Sequence, residues 1–256
     1  METSVDDRVQ TAAFDRPDTR NAISVETAHE LTAQLREAAE RNVRAFVLTG
    51  RGEAFCAGGD IEAMAERVGA ENPEDAYRRV EETMNTVIRE ILFAPFPVIA
   101  KVNGDAVGAG TNLAAACDFA IAARNARFGE VFVNVGLIPD SGGTYLLPQL
   151  VGLRTARELA MTGRVITATE AAEIDLITEA VPPDQLDDCV DELLATLDDK
   201  PTSALGAIKR GMHGNLGRHL EEALEREALL QALAYESDAH REGIQAFLES
   251  RDPEFD

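Results

Sequence analysis

The sequence predicts an α/β core followed by a helical C-terminal module, and two observations carry that prediction. Up to about residue 150, short β-branched or apolar runs alternate with amphipathic helical patterns; beyond it, strand signals nearly vanish. Residues 43–49 (VRAFVLT), 97–102 (PVIAKV) and 119–122 (FAIA) read as strands. Ser24 is placed to cap a helix over residues 24–40, in which Ala28, Leu31, Leu35 and Ala38 recur at helical spacing. A second helix is predicted over 76–92. It carries Val80, Met84, Val87, Ile88 and Ile91 on one stripe and stops before Pro95 and Pro97. Residues 69–75 form the polar loop that feeds it. Residues 156–163, 168–176, 187–197 and 216–248 all read as helix, which divides the chain into a core over 1–198 and a helical module over 199–256.

Composition narrows the function. The 256 residues can bury a sizeable core as one large domain. Forty-six acidic against 24 basic residues give a formal net charge of -22, and only three of the basic residues are lysines (Lys101, Lys200, Lys209). Such a surface repels a polyanion, so nucleic-acid binding is excluded. So much like charge strains a compact fold at ordinary ionic strength. Molar salt, with a Debye length of about 3 Å, removes most of that strain. The composition therefore points to a salt-accumulating organism.

Three scattered cysteines (Cys56, Cys117, Cys189) make neither a disulfide framework nor a CxxC metal site. The N-terminus has no basic leader with an apolar core, and no apolar run approaches the roughly 18 residues of a membrane span. A soluble cytoplasmic protein is expected.

The four histidines (His29, His213, His219, His240) lie in helical or charged surroundings without ligand spacing, so no metal site is expected. Ser141 is not in a GxSxG elbow, and Cys56 has no neighbouring cation to activate it. The glycine-rich segments are more informative. In residues 54–64 (AFCAGGDIEAM) a strand runs into Ala57-Gly58-Gly59, and Asp60 begins a helical pattern. In residues 102–118 a strand ends at Asn103-Gly104, and Gly108-Ala109-Gly110 leads into an apolar helix. Free N–H groups at two such turns can converge on one oxygen as it gains charge. In residues 135–147 (VGLIPDSGGTYLL) Asp140 sits in an apolar, glycine-flanked loop. It reads either as a base of raised pKa or as the cap of the following helix.

Together these segments resemble the crotonase (enoyl-CoA hydratase/isomerase) superfamily over nearly the whole chain. FDRPDTRNAIS, AFCAGGDI, VNGDAVGAGTNLAAACD, FGEVFVNVGLIPDSGGTYLLPQLVG and GRVITATEAAEIDLITEAVP follow its motifs in order. The resemblance implies a spiral of ββα units, a C-terminal module that builds trimers or hexamers, and an acyl-CoA thioester ligand with no further cofactor. It assigns the thioester oxyanion to the N–H groups of Ala57 and Ala109. Ala57, Gly58, Gly59, Asp60 and Ile61 are to line the CoA path, with Gly108 and Ala109 on the second loop and Phe132 in the acyl pocket. Arg16 and Arg20 are candidate partners of the CoA phosphates.

The departures from the family pattern bear on the reaction. The two glutamates that hold the attacking water in typical hydratases are replaced by Asn112 and Phe132, and each such group contributes about 10²–10⁴-fold. Asp140, by contrast, stands where isomerase and dehalogenase branches carry a catalytic acid. The resemblance therefore implies an isomerase in which Asp140 shuttles a proton. Two readings compete with it: a hydratase working through a rearranged acid such as Glu130, and a catalytically silent acyl-CoA-binding subunit. Glu130 itself is expected at the surface or between subunits, on the same side of an extended segment as Phe132.

Overall fold

A computed structural model describes residues 1–255. In chain order its elements are strands β1 (Glu2–Asp6) and β2 (Val9–Phe14), helix α1 (Val25–Glu40), β3 (Ala45–Gly50), β4 (Ala54–Cys56), α2 (Ile61–Arg67), α3 (Pro73–Glu82), α4 (Met84–Phe93), β5 (Val98–Val102) and β6 (Asp105–Val107). There follow α5 (Ala109–Ala116), β7 (Phe119–Ala123), β8 (Arg127–Gly129), α6 (Gly143–Leu150), α7 (Gly152–Thr162), β9 (Val165–Thr167), α8 (Ala168–Glu173) and β10 (Glu179–Val181). Helices α9 (Leu186–Asp198), α10 (Thr202–Asn215), α11 (Leu220–Tyr235) and α12 (Asp238–Glu249) complete the chain.

The strands form two sheets, a six-stranded one in the order β1-β2-β3-β5-β7-β10 and a four-stranded one in the order β4-β6-β8-β9. β3, β5 and β7 pair in parallel in the first sheet, while β4, β6 and β8, which follow them directly, pair in parallel in the second. Each passage of the chain thus adds one strand to each sheet before a helix returns it, which is the expected ββα spiral. Parallel strands covered on both faces need continuous apolar runs; in β3, Ala45 to Leu48 are all buried. Phe14, Phe46, Phe55, Phe96 and Phe128 are the largest fully buried side chains. Phe14 of the first sheet meets Phe55 of the second edge to face, with ring centres 5.9 Å apart.

Helix α1 starts at the predicted cap: Ser24 accepts the Thr27 N–H at 3.2 Å, and Ala28, Leu31, Leu35 and Ala38 are all buried. Three expectations are corrected. The N-terminal hairpin β1–β2 was not predicted; its turn places Asp7 and Arg8 at φ 42° and 64°, a conformation usually signalled by Asn-Gly or Asp-Gly. Of the second sheet only β4 was expected, as the strand that runs into Ala57; β6, β8 and β9 were not, being too short to show a period. The helix expected over 76–92 is interrupted at Thr83 (φ −108°, ψ −96°), whose buried hydroxyl donates to the Arg79 carbonyl at 2.6 Å.

Helix α10 is tied to the core: Lys209 Nζ reaches Asp118 Oδ2 at 2.5 Å and the Phe96 carbonyl at 3.4 Å. Gly206 packs so closely on the Pro95 carbonyl that a Cβ would overlap it. Helix α11 buries no side chain, and Leu220, Leu224, Leu229 and Leu233 stand exposed on it. Among the described residues no helix is long and apolar enough to cross a membrane.

Candidate active site

The two glycine-rich turns lie side by side where β4 and β6, neighbours in the second sheet, end. Gly58 (φ 89°) sits so close to the second turn that a Cβ there would lie 2.9 Å from the Val107 carbonyl and 3.6 Å from the Ala109 nitrogen. Gly108 adopts φ 55°, ψ −123°, a region open to glycine, and turns the chain into α5 with Ala109 at its first position.

Hydrogen-bond accounting decides which N–H groups are free. The Ala57 N–H donates to the Arg20 carbonyl at 3.0 Å, and the Asp60 N–H donates to the Ile23 carbonyl at 3.2 Å. Between them the Gly59 N–H, like that of Ala109, finds no acceptor among the described residues. Gly59 and Ala109 both line one cavity, whereas Ala57 does not. The assignment of an oxyanion donor to Ala57 is therefore corrected: that N–H is spent within the fold, and the residue two places on presents the open one. In the parallel bridge between Ile23 and Gly59 the Gly58 carbonyl accepts the Ile23 N–H and the Asp60 N–H donates to the Ile23 carbonyl, which leaves the Gly59 N–H free.

The cavity is lined by Ile23, Ala28, Met64, Val80, Met84, Phe132 and Leu137 among apolar groups, with Asp60, Arg67, Arg79 and Asp140 among charged ones. The break at Thr83 lets the end of α3 and the start of α4 both face it. Asp60 belongs to the scaffold. It caps α2 by accepting the Ala63 N–H at 3.2 Å and pairs with Arg16 at 3.1 Å, which hold its carboxyl below the usual carboxylate range. Arg16 is committed to Asp60 and to the Ala22 carbonyl, and Arg20 to Asp105 at 2.6 Å. Gly58 is buried between the turns, Gly108 underlies the cavity near Phe132, and Ile61 points to solvent; none of the three lines the cavity.

Asp140 does line it. Ser141 and Gly142 are consecutive left-handed residues (φ 52° and 81°), and helix α6 begins after Gly142 with no side-chain cap. The cap alternative for Asp140 is thereby removed. Its carboxyl accepts the Ser141 hydroxyl at 2.9 Å. Burial raises its pKa, against the opposing effects of Ser141 and of the Arg79 charge. Arg79 is itself held by Glu71 through two bonds of 2.9 Å.

Glu130 overturns its expectation. It is 1% exposed rather than at the surface, and neither carboxyl oxygen has a hydrogen-bond partner among the described residues. Burial pushes its pKa up to about 8, with the Asp140 charge adding to the rise and Asn112 opposing it. The chain after it is a 3₁₀ turn over Val131–Val135, not an extended strand, so Glu130 and Phe132 do not share a side. Phe132 reaches the cavity; Glu130 does not line it. Cys56 is fully buried, and desolvation pushes its thiol up to about 12, as befits a packing residue. No group of three or more His, Cys, Asp or Glu side chains that could hold a metal gathers among the described residues.

Two residues with unclaimed N–H groups on the wall of one cavity, beside a carboxyl of raised pKa, make a site suited to a carbonyl compound that passes through an oxyanion. The family comparison agrees: residues 5–256 match the enoyl-CoA hydratase/isomerase family, and the chain belongs to it. It is 42% identical to a probable enoyl-CoA hydratase of Rhodobacter capsulatus, over 94% of this chain and 92% of the relative. It is 38% identical to the 1,2-epoxyphenylacetyl-CoA isomerase of Escherichia coli, over 98% and 96%. The crystal structure of a putative enoyl-CoA hydratase from Streptomyces coelicolor superposes with a TM-score of 0.93 at 35% identity, covering 100% of this chain and 93% of that one.

Proposed function

We propose that the protein is an enoyl-CoA isomerase that moves a double bond by proton transfer through Asp140. The Asp140 carboxylate removes a proton from C2 of a 3-enoyl thioester, and the electron pair spreads into the thioester carbonyl as a dienolate. The N–H groups of Gly59 and Ala109 hold the oxygen as it gains charge, and the start of α5 adds its dipole. The same carboxyl returns the proton to C4, leaving the 2-enoyl thioester. One base suffices because the proton taken is the proton given back.

The observation that carries the reading is the place of Asp140. It is the carboxyl on the cavity wall that neither caps a helix nor pairs directly with an arginine. Asn112 and Phe132 supply no acid–base pair to orient water. The identity with a probable hydratase favours a second reading, addition of water across a 2-enoyl thioester. Offering 3-hexenoyl-CoA and crotonyl-CoA separately discriminates between the two. Turnover of the first with little hydration of the second supports the isomerase, and rapid hydration of crotonyl-CoA overturns it.

The exposed leucines of α11 support self-association through the C-terminal helices as a trimer or hexamer; a monomer by light scattering refutes that. Three free cysteines support a reducing cytoplasmic setting.

A further inference from the structure

The cavity wall carries two arginines that the proposed proton transfer does not use. Arg67 ends helix α2 and Arg79 lies in α3, and both line the cavity together with the apolar side chains of Met64, Val80 and Met84. Their partners set them apart from the other charges there. Asp60 is neutralised by Arg16 at 3.1 Å and is spent on capping α2. Arg79 gives Nε and Nη2 to the two oxygens of Glu71, each at 2.9 Å, and Glu71 itself does not line the cavity. That fork fixes the plane of the guanidinium, and its Nη1 has no acceptor among the described residues. Arg67 makes no ion pair and donates no side-chain hydrogen bond among the described residues. In a chain of 46 acidic and 24 basic residues an arginine has carboxylates in plenty. Glu71, four residues further on, nevertheless gives both oxygens to Arg79. Arg67 is therefore a cation left open on the wall of the substrate cavity.

An acyl chain that fills the cavity displaces water from these groups. If it ends in a methyl, two guanidinium groups lose solvent and gain no acceptor, which costs free energy. If it ends in a carboxylate, the planar fork of an arginine meets it with two N–H donors. Over the rest of the molecule a net charge of -22 repels an anion; at this wall two guanidinium groups offset that repulsion. The spacing requires a chain of several carbons. Helix α2 begins directly after Asp60, so its seven residues carry Arg67 about 10 Å from the Gly59 turn that holds the thioester oxygen.

Resting on the reading of this cavity as the acyl site of an isomerase, we propose that Arg67 and Arg79 select a substrate class, the enoyl-CoA thioesters whose acyl chain ends in a second carboxylate. Arg67 binds that carboxylate through its fork, and Arg79, held rigid by Glu71, adds its Nη1. The two are specificity residues: no bond is made or broken at them.

The test begins with saturated ligands, whose binding does not depend on the reaction. Titration calorimetry compares adipyl-CoA with hexanoyl-CoA and suberyl-CoA with octanoyl-CoA, each pair matched in chain length, at one fixed KCl concentration. In the unmodified protein at least one diacid binds about tenfold or more tightly than its matched partner. Arg67→Gln brings that ratio to within about twofold, and Arg67→Glu inverts it. Equal affinity within both matched pairs overturns the proposal and needs no variant to fold. A ratio that survives unchanged in Arg67→Gln and in Arg79→Gln also overturns it. So does a loss that is the same for both members of a pair and for CoA without an acyl group, which places the arginines on the CoA phosphates. Turnover then shows whether the selection extends to catalysis: kcat/KM for hex-3-enedioyl-CoA exceeds that for 3-hexenoyl-CoA by about tenfold. If neither 3-enoyl thioester turns over, the isomerase reading fails, while the binding ratio still decides whether these arginines recognise a carboxylate.

Discussion

The side-chain nitrogen of Asn112 lies 2.8 Å from the backbone carbonyl of Asp140, so the helix that begins with the proposed oxyanion donor Ala109 also anchors the proposed base. Asn112 serves here as a strut between α5 and the Asp140 loop. The Asp140 carbonyl takes a second bond from the Gly143 N–H at 2.9 Å, which closes the left-handed turn at Ser141 and Gly142.

Removing the base should separate binding from chemistry. Asp140→Asn is expected to lower isomerisation by about 10²–10⁴-fold. Binding of a saturated acyl-CoA, measured by titration calorimetry, should be little changed. Activity within threefold of the unmodified enzyme would refute the assignment.

The strut can be tested without touching either partner. A Cβ at Gly143 would lie 2.5 Å from Asn112 Nδ2 and 2.8 Å from its Oδ1, inside van der Waals contact. Gly143→Ala should displace the amide and with it the Asp140 loop. Misplacement by about 1 Å can cost about 10²-fold in rate, so steady-state kinetics should show a fall in kcat with a much smaller change in KM.

The corrected oxyanion assignment predicts an asymmetry along one short turn. Gly59→Pro removes the open N–H and should lower kcat by about 10²–10³-fold. Gly59→Ala keeps the donor; its methyl group meets only the flexible tip of Met64, and most of the activity should survive. Equal losses in the two variants would show that shape, rather than the N–H, matters there.

Burial of Glu130 sets the sign of a stability effect. An unfolded glutamate releases its proton near 4.3, whereas the folded protein retains it to about 8. Below the lower value both states are protonated and nothing is lost. Between the two values the unfolded chain sheds a proton that the folded one keeps, so stability falls as pH rises, by about 1.4 kcal/mol per unit. Above the upper value the loss is complete. Urea unfolding should therefore show Glu130→Gln gaining on the unmodified protein from pH 5 to pH 9. A constant difference would disprove the linkage.

A net charge of -22 predicts that salt stabilises the fold. Many surface ion pairs, such as Arg36–Glu90 and Arg164–Glu158, are exposed and weak, so screening them costs little. A gain of about 2 kcal/mol between 0.1 M and 2 M KCl would raise the midpoint of thermal unfolding by roughly 4–8 °C. A midpoint that falls with KCl would show that attraction outweighs repulsion.

Local features were legible wherever a short stretch determines its own structure. The Ser24 cap, the apolar stripe of α1, the buried run of β3 and the two glycine turns all follow from spacing and side-chain type. The order of the glycine turns and the aspartate loop sufficed to show the family. What the sequence could not express is how backbone groups are shared between distant segments. The Ala57 N–H is spent on the Arg20 carbonyl and the Gly59 N–H is left free beside the bridge to Ile23, both partners more than thirty residues away, and no local pattern encodes this. The burial of Glu130 depends likewise on how the second sheet meets α5 and the Asp140 loop. A charged residue in an acidic chain reads as solvated until packing removes its water. Sequence alone thus determined which segments turn, cap and bury. The tertiary structure decided which N–H groups remain unspent and which carboxyl loses its solvent, because both are set by contacts made only once the chain has folded.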